Sequence, residues 1–582
     1  MFGKNVLKMT ANDWIEEAKN WPWIKDEPIE HWPPNTMGAL WDDCVSKYAD
    51  KECIWYLDSG GMTFKELDQK ADQFAAGLMQ LGVGKGDHVG VCLVNYLENF
   101  IVVLALWKIG AVNIPVNPRY RQEDFLYVVN NTDVATLIIM DEMPKLDYIG
   151  MIREVYPEIS DCNRNKLELS NSPTLRKVIC LSKETRKYDG TFDFDEILDR
   201  GQGDSFNRIE GSNAVTPDDV SHIIYTSGTT GVLKGAIITH DMMNCGWRWG
   251  NLGRGIVPGD RLLVPVPLNH VYGLGYLVGA AWLGGACVLP LPIFEPKLAL
   301  ETLSKGRATW TDGVPTMQID MLKHPDFDQY DWSNIRGAVV CAAPSPPWLA
   351  EEMYRKWLRG KGVIQTAAGM TEQPTPTVTN LDITSDKVSK VAGCICAKQV
   401  RPLADFYRYC IKDPLTGQVL PPHEEGELCL MGRTIFKGYY KNPEMTERAF
   451  DEDGWFHTGD IAFVDMDMYY SITGRVKEIY IQGGENIAPR EVEILLGKHP
   501  KIVQAYVVGV PDERLGEVGA AFVQLAPGES MTEEEVKEIV RGKLAAFKVP
   551  RYVFFTDEFP LTASGKVIKP RLRERAVNEL NL

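Results

Sequence analysis

The hydrophobic positions in the N-terminal part of this chain switch repeatedly between the helical and the strand period. Apolar residues recur at helical spacing from Phe64 to Leu81, and they alternate as in a strand from His88 to Leu93. Asn99 to Ile109 is an apolar run of helical length, and Ala111 to Pro115 is strand-like again. This alternation predicts parallel sheets that are covered by helices.

Three further regions differ in pattern. Residues from about 142 to 204 are more polar and less periodic, which predicts a surface elaboration. A second α/β unit is predicted over about 221–395. Short strands separated by turns over 425–470 predict a small β-rich module.

The pattern changes again near residue 473. Tyr506 to Val510 and Tyr552 to Thr556 are strand-like, and Thr532 to Leu544 is an amphipathic helix that runs from acidic to basic. The segment is long enough to fold independently. We therefore expect a compact α+β unit at the C-terminal end of this sequence.

One stretch is long enough to suggest a membrane span, because no charged residue occurs from Leu262 to Phe294. Prolines at 265, 267, 290 and 292 bracket it, however, and five glycines interrupt it. A buried strand, a loop with His270, a buried helix and a second buried strand explain these breakers better. We expect no membrane span.

Composition narrows the functional classes. The 582 residues should form about three or four cores. A formal net charge of −17 argues against binding to nucleic acid or to anionic membranes, so anionic ligands must be captured by local donors. The 12 cysteines show no paired metal spacing along the sequence, and no signal peptide is recognised. Reduced thiols and a cytoplasmic location are expected.

The strongest motif is the Gly/Thr-rich segment from Tyr225 to Gly235, which lies between two short apolar runs. Its glycines allow the backbone to approach a ligand, and its hydroxyls and Lys234 can donate to phosphate oxygens. Walker A does not fit, because Lys234 is followed by Gly235 and no Ser or Thr comes next. The segment is predicted to be a phosphate-binding loop at the edge of a sheet.

This loop resembles the signature loop of the adenylate-forming enzymes, the superfamily of acyl-CoA and aryl-CoA ligases, peptide-synthetase adenylation domains and beetle luciferases. Five further segments match that superfamily in order and spacing, so that the resemblance covers about Leu40 to Leu572. Leu233 replaces the usual proline before the lysine, a change that affects loop stiffness and no phosphate donor.

Gln365 to Glu372 resembles the segment that holds adenine and places a carboxylate beside the phosphates. Mg²⁺ prefers oxygen ligands, so Glu372, together with Thr226, is the expected metal ligand. The family usually has an aromatic residue at the position of Ala368, and its absence leaves open what stacks on adenine.

Gly454 to Asp460 resembles the ribose-binding segment, with Asp460 as the acceptor for the sugar hydroxyls. Arg475 is the expected cation near ribose and phosphate, and Lys477, two residues later, matches the hinge of the small domain. Gly483-Gly484-Glu485 resembles the loop that lines the CoA tunnel.

Pro560 to Lys566 resembles the C-terminal lysine motif, in which Lys566 would bridge the substrate carboxylate and the α-phosphate. His270 matches a residue between the acid pocket and the thiol tunnel. The resemblance assigns the catalytic roles to Lys566, Glu372, Lys234, Thr226 and His270. It assigns the nucleotide site to Thr226, Ser227, Gly228, Thr229, Thr230, Lys234, Ala343, Pro344, Ala367, Ala368, Gly369, Met370, Thr371, Asp460, Arg475 and Lys566.

The resemblance implies an α/β fold. A large N-terminal domain, residues 1–476, would contain stacked α/β sheets plus a β-rich module, and a small mobile α+β domain would span 477–582. The implied enzyme is an AMP-forming acid–CoA ligase that uses ATP, Mg²⁺ and CoA. A carboxylate attacks the α-phosphate to give an acyl-adenylate and pyrophosphate, and CoA then displaces AMP.

Three alternatives stay open. An adenylation enzyme that loads a carrier protein shares every motif, and a luciferase-like oxidase is poorly separated by motifs. An adenylate-binding module without catalysis is disfavoured by intact Lys566, Glu372 and Asp460. The oligomeric state is also open, with a homodimer as one option.

Small residues beside aromatic ones favour a ring-bearing monocarboxylate, aromatic or alicyclic, and a medium-chain fatty acid is the second choice. The residues expected to line the acid pocket are Trp247, His270, Tyr272, Gly273, Val314, Ala342, Ala367, Gly369 and Pro374.

Overall fold

A computed structural model describes residues 35–143, 146–203, 215–227, 233–342, 345, 347–378, 396–398, 408–465, 469–483, 485–561 and 567–582. Helices and strands alternate through the N-terminal part, as predicted. Up to residue 203 the elements are α1 Met37–Tyr48, β1 Glu52–Tyr56, β2 Gly60–Thr63, α2 Phe64–Gln80, β3 His88–Cys92, α3 Leu97–Ile109, β4 Val112–Pro115, α4 Gln122–Asn131, β5 Thr136–Met140, β6 Glu142–Met143, β7 Leu146–Asp147, α5 Tyr148–Val155, β8 Lys177–Leu181, β9 Phe192–Asp193 and α6 Phe194–Arg200.

Local sequence explains where α2 and α3 begin and end. The Thr63 hydroxyl accepts from the Glu66 backbone N–H, and the Glu66 carboxylate accepts from the Thr63 N–H. Such a reciprocal cap stabilises a helix start by about 1 kcal/mol. Helix α3 ends at Gly110, whose φ of 76° is the left-handed conformation that glycine adopts without strain.

The second α/β region begins with a hairpin and continues through alternating strands and helices. Its elements are β10 Val220–Ser227, β11 Leu233–Thr239, α7 His240–Arg254, β12 Arg261–Val264, a π-helical segment Tyr272–Val278, α8 Gly279–Leu283, β13 Cys287–Pro290, α9 Pro296–Lys305, β14 Trp310–Thr311, α10 Pro315–Lys323, β15 Gly337–Cys341, α11 Pro347–Lys356, β16 Val363–Met370 and β17 Gln373–Val378.

The uncharged stretch from Leu262 to Phe294 folds as predicted, into strand, loop, buried helix and strand. Every residue from Tyr272 to Val278 is buried. Within the part of the chain that the structure describes, no helix is both long and apolar enough to cross a membrane.

Two large sheets contain these strands, with the orders β11-β10-β4-β3-β5-β8-β9 and β17-β16-β15-β14-β12-β13-β1-β2. The prediction of a surface elaboration over 142–204 is wrong for β8, a largely buried strand that pairs in parallel with β5. The predicted division at residue 221 is also corrected, because the β10–β11 hairpin completes the first sheet. Strands β1 and β2, in turn, join the second sheet.

One apolar core connects the two sheets. It includes the fully buried Trp107, Trp247 and Trp282, whose rings meet edge to face at centroid distances of 5.5 and 6.0 Å around Trp247. Contacts of this kind add about 0.5–1.5 kcal/mol beyond the burial of apolar area. The core therefore fixes helix α7, which carries Trp247, between the sheets.

The β-rich module forms a five-stranded antiparallel sheet in the order β18-β22-β21-β20-β19. Its elements are β18 Cys396–Lys398, β19 Arg408–Lys412, β20 Gly426–Met431, α12 Pro443–Ala449, β21 Phe456–Val464 and β22 Tyr469–Arg475. Strands β18 and β19 precede the module predicted for 425–470, and β22 extends five residues beyond it; the other elements lie within the predicted range.

A short 3₁₀ turn, Val476–Glu478, connects the module to the predicted α+β unit. That unit contains β23 Tyr480–Gln482, β24 Glu485–Ile487, α13 Pro489–Leu496, β25 Ile502–Asp512, β26 Gly516–Leu525, α14 Glu533–Arg541, β27 Tyr552–Phe555 and α15 Lys569–Leu580. Its strands form their own sheet, and α14 begins at a capping box of Thr532 and Glu535. The fold class predicted from the sequence is confirmed.

Candidate active site

The β10–β11 hairpin brings the two ends of the predicted phosphate loop together. Thr226 lies opposite Lys234, and Ser227 lies opposite Leu233. Strand β11 is the edge strand of its sheet, as predicted for this loop. The tip of the loop, with Gly228, Thr229 and Thr230, lies outside the described residues.

Lys234 is held beside an aromatic ring and two other charged groups. Its Nζ lies 5.1 Å from the ring centre of Tyr439. Burial and the nearby positive charge of Lys477 lower the pKa of Lys234, and the Glu372 carboxylate opposes that change. The sequence-predicted Lys234, Glu372 and Lys477 therefore lie close enough to interact electrostatically.

Glu372 lies in the turn between β16 and β17, two strands that pair in antiparallel register. Its Oε1 accepts a 2.8 Å hydrogen bond from the Tyr439 hydroxyl, and its backbone carbonyl accepts one from the Phe436 N–H. The sequence reasoning missed Tyr439. The only signal was its place in an aromatic-rich segment after β20, which gives no hint of pairing with β11.

Asp460 and Arg475 face each other on β21 and β22. Arg475 Nε lies 2.9 Å from Asp460 Oδ1, and the charge of Asp460 raises the pKa of Arg475. Glu372 also acts on Arg475, although more weakly. The ribose and phosphate candidates from separate motifs thus converge, and Lys477 follows them in the 3₁₀ turn.

The predicted adenine side lies at the carboxyl ends of β15 and β16, where open α/β sheets bind ligands. Cys341 on β15 pairs with Ala367 on β16, so Ala342 lies beside Ala368 and Gly369. Ala342 has a φ of 69°, a strained conformation that favours glycine and that clusters at ligand sites. Thr371 is buried, Met370 is half-buried, and Ala343 and Pro344 lie outside the described residues.

Several residues predicted for the acid pocket lie in or next to the π-helical segment. The Tyr272 hydroxyl donates to Asp312 Oδ1 at 3.1 Å, and the Tyr272 N–H donates to His270 Nδ1 at 3.1 Å. Val314 and Pro374 are buried. At Gly273 a Cβ would lie 2.4 Å from the Pro267 carbonyl oxygen, so only glycine fits there.

Trp247 was predicted to line the acid pocket, but it lies in the core behind the pocket. Its ring is fully buried, and its Nε1 donates to the Leu274 carbonyl at 3.3 Å. A Cβ at Gly279 would lie 1.9 Å from that ring, and a Cβ at Gly250 would lie 3.0 Å from Tyr276. Helix α7 therefore packs closely against the helical segment 272–283.

Sequence reasoning also missed a buried ion pair next to Tyr272. Arg254 and Asp312 form two hydrogen bonds of 2.8 and 2.9 Å, and both side chains are fully buried. Burial raises the pKa of Asp312 to about 6, although Arg254 opposes the change. Tyr276 completes the group, with its ring 4.1 Å from the Arg254 guanidinium carbon. No sequence signal identified the pair, since each residue lies at the end of an apolar segment.

The remaining predicted positions belong to the C-terminal unit. Gly483 adopts a φ of 63° and donates to the Leu515 carbonyl at 2.8 Å. Glu485 begins β24, whereas Gly484 and Lys566 lie outside the described residues. The roles assigned to these residues stay predictions.

The described residues fit the ligands that the motifs imply. Glu372 offers carboxylate oxygens of the kind that Mg²⁺ prefers, and Lys234, Lys477 and Arg475 supply positive charge for phosphates. Asp460 is 5% exposed and can accept hydrogen bonds at the place assigned to ribose. The site can thus hold an anionic nucleotide despite the negative charge of the whole chain.

Comparisons with known families agree with this geometry. The family described as AMP-binding enzyme matches residues 41–440, and its C-terminal domain family matches residues 491–566. A Bacillus subtilis protein named as an acyl-CoA synthetase, YngI, is 36% identical over 94% of this chain and 98% of its own length. The medium-chain acyl-CoA ligase ACSF2 of Danio rerio, named as mitochondrial, is 32% identical over 94% of this chain and 89% of its own.

Solved structures show the same fold. The anthranilate CoA ligase AuaEII, in complex with anthranoyl-AMP, superposes with a TM-score of 0.80 at 25% identity and covers 96% of this chain and 100% of its own. ATP-bound MatB from Rhodopseudomonas palustris gives 0.77 at 27% identity, over 92% and 98% of the two chains. This chain therefore belongs to the AMP-binding enzyme family, within the adenylate-forming superfamily, as an AMP-forming acid–thiol ligase.

Proposed function

We propose that this enzyme converts a compact, ring-bearing monocarboxylic acid into its CoA thioester in two half-reactions. A carboxylate oxygen attacks the α-phosphorus of ATP and pyrophosphate leaves. The CoA sulfur then attacks the acyl carbon, and AMP leaves with the oxygen it shared with the acid. The observation that supports this most is the convergence of Lys234, Glu372, Asp460 and Arg475 from separate motifs.

The side chains of the enzyme bind and orient the reactants. Lys234 and the Thr226 hydroxyl would hold phosphate oxygens, and Asp460 would hold the ribose hydroxyls. Lys566 would approach from the C-terminal domain and offset the charge that develops as one anion attacks another. Positioning and electrostatics supply most of the rate, so no nucleophilic Ser or Cys is needed.

Glu372 and Thr226 would hold Mg²⁺, which neutralises phosphate charge when it is bound. The Tyr439 hydroxyl hydrogen-bonds one oxygen of Glu372 and fixes the orientation of that carboxylate. Tyr439 is thus a positioning residue for the metal ligand.

Close packing behind the pocket supports a compact acid. Trp247 fills the space between α7 and the segment 272–283, and glycines at 246, 250 and 279 leave no room there for a longer chain. Arg254 is neutralised by Asp312 and would not attract a second carboxylate. Small residues at Ala342, Ala367 and Gly369 leave width near the adenylate. A pocket that is wide near the adenylate but closed behind it would hold a ring better than a long chain.

A medium-chain fatty acid is the second candidate, because the ACSF2 relatives are named as medium-chain acyl-CoA ligases. Its chain would have to enter beside Tyr272 and displace part of the packed segment. A ring-bearing acid would therefore fit the pocket as it is packed, whereas a medium-chain fatty acid would require part of the packed segment to move.

Pyrophosphate release and thioester formation with benzoate, cyclohexanecarboxylate, octanoate and acetate, with and without CoA, test the proposal. We expect the highest kcat/KM for a cyclic acid and a product that requires CoA. Ala367→Phe should raise KM for cyclic acids far more than for acetate, while KM for ATP serves as the control. Best activity on octanoate would favour the second candidate, and best activity on acetate or very long chains would exclude both.

CoA dependence also separates the remaining classes. Pyrophosphate release without a CoA thioester would indicate a carrier-protein-loading enzyme, and oxygen uptake would indicate an oxidase. We further propose a cytoplasmic enzyme with a domain boundary at residue 477; cell fractionation and limited proteolysis test these two points.

A further inference from the structure

Three neighbouring strands of the β-rich module place two thiols and an imidazole at one level of the sheet. Cys410 on β19 lies directly opposite Cys429 on β20, and Cys429 lies directly opposite His457 on β21. Glu427 precedes Cys429 on the same strand. These residues are far apart in sequence, so they have no metal-binding spacing along the chain, and only the strand register brings them together.

The distances match those of a tetrahedral metal site. Cys429 Sγ lies 3.7 Å from His457 Nδ1, and that nitrogen lies 2.8 Å from Glu427 Oε2. Zinc binds sulfur at about 2.3 Å and nitrogen at about 2.0–2.1 Å, which places such ligands about 3.6 Å apart at a tetrahedral angle. The carboxylate would need to move by only about half an ångström. The thiol of Cys410 contacts that of Cys429. Only the ligand atoms of Glu427, Cys429 and His457 all lie within 4.8 Å of one another, so Cys410 would have to turn towards the other two residues to become a fourth ligand.

The surroundings are those of a protected site. His457 Nε2 lies 3.4 Å from Asp451 Oδ2, and Asp451 is itself bound by Lys412 Nζ at 2.5 Å. A carboxylate behind a metal-binding histidine fixes the ring and its tautomer. Both cysteines pack with the fully buried Trp455, so water has little access to the thiols.

We propose that Cys410, Cys429, His457 and Glu427 form a structural zinc site. Thiolate and imidazole ligands select zinc over magnesium, and four protein ligands leave no open position for catalysis. Glu427 Oε1 also accepts a 2.9 Å hydrogen bond from the Gly459 N–H. The metal would therefore connect three strands and fix the segment that carries Asp460, the ribose candidate.

Metal binding to the full-length protein tests the site directly. The reduced protein is stripped with a chelator and titrated with Zn²⁺ or Co²⁺, and bound metal is measured after equilibrium dialysis. We expect one Zn²⁺ per chain and a thiolate-to-cobalt charge-transfer band in the near ultraviolet. Cys410→Ser and Cys429→Ser should each weaken that band, because one thiolate is lost, and should weaken binding at least tenfold. Cys180→Ser changes another buried strand cysteine and should change neither.

A measurement on the wild-type protein tests the zinc site even if the cysteine variants fail to fold. Zn²⁺ should raise the melting temperature of the reduced wild-type protein, because a ligand that binds only the folded state stabilises it. The same addition should not raise that of the Cys429→Ser variant if that variant folds. The proposal is wrong if the reduced wild-type protein binds no stoichiometric zinc or melts at an unchanged temperature. The proposal is also wrong if Cys429→Ser binds zinc as tightly as the wild-type protein. It is wrong as well if Cys410 and Cys429 form a disulfide and the protein binds no zinc after that disulfide is reduced.

Discussion

At the scale of single residues, the motifs predicted those side chains whose chemistry is carried by one local segment. Lys234, Glu372, Asp460 and Arg475 lie close together, because each lies on, or directly beside, a strand whose neighbours are fixed by the sheets. Tyr439 and the Arg254–Asp312 pair were missed, since their partners come from distant segments. Local sequence carries no information about such contacts.

Lys566 is the residue on which the predicted chemistry depends most. Lys566→Ala should slow adenylate formation by about two to four orders of magnitude, the range for removing one preorganised charge. Thioester formation from supplied acyl-adenylate should stay nearly unchanged, because that step has no attack of one anion on another. Single-turnover assays of the two half-reactions measure this. An equal loss in both would contradict the role assigned to Lys566.

His222 should make the stability of the protein sensitive to acid. Burial, together with the positive charge of a protonated His240, lowers the pKa of this histidine to about 3. The unfolded chain gains this proton near pH 6.5 and the folded protein does not. The contribution of His222 is therefore present above pH 6.5 and is lost as the pH falls towards about 3.

His222→Leu removes that proton and keeps an apolar side chain in the core. Between pH 6.5 and 5 the wild-type protein should lose about 2 kcal/mol that the variant retains. Chemical unfolding at both pH values measures the difference. His499→Leu, at a half-buried position, is the control and should show the wild-type pH dependence; a variant with unchanged acid sensitivity would show that His222 does not cause it.

At the scale of secondary-structure elements, the period of the apolar residues predicted most helices and strands but not their partners. The sequence pattern identified β10 and β11, yet it assigned them to the second unit, whereas they complete the first sheet. Strand β8 was missed because it is short and lies within a polar region, although it pairs with β5 along its whole length. Long-range pairing decides both cases, and it is invisible in a local window.

Helix α15 is anchored by ion pairs close to the predicted hinge. Lys569, at its first turn, pairs with Glu478 next to the predicted hinge, and its Nζ lies 2.8 Å from Glu493 Oε1 on α13. The two carboxylates raise the pKa of Lys569 against the effect of burial. Lys566 lies three residues before this anchor in the sequence, so we expect the anchor to restrict where the predicted catalytic lysine can lie.

Lys569→Met should destabilise the protein by about 3 kcal/mol, because it removes the cation shared by Glu478 and the buried Glu493, which keeps only the more distant Arg490. Adenylate formation should fall as well, since the loop that carries Lys566 loses its anchor. Arg571→Met, at an exposed position on the same helix, should change stability by less than about 0.5 kcal/mol. Thermal unfolding and pyrophosphate release compare the two variants. If Lys569→Met behaved like the exposed control, the ion pairs of Lys569 with Glu478 and Glu493 would not hold this loop.

At the scale of the whole molecule, the C-terminal unit contacts the apolar cluster beside the second sheet and carries the residues predicted for the two half-reactions. Val503 at the start of β25 is 7% exposed and belongs to the apolar cluster of helices α9 to α11. We propose that the loop with Lys566 and the loop with Gly483 occupy the site in turn, one in each half-reaction. A domain rotation about Lys477 would exchange them between the half-reactions.

Fixing the backbone at Lys477 tests this rotation. Proline holds φ near the helical value, which suits the 3₁₀ turn Val476–Glu478 but prevents the change that a hinge requires. Lys477→Pro should therefore retain one half-reaction, which we expect to be adenylation, and lose most CoA transfer. Lys477→Ala is the matched control, because it removes the charge near Lys234 and leaves φ free. Rapid-quench measurement of adenylate and thioester separates the two effects. Wild-type rates of multiple-turnover thioester synthesis in Lys477→Pro would show that the hinge lies elsewhere, whereas equal losses in both variants would assign the effect to the lost charge.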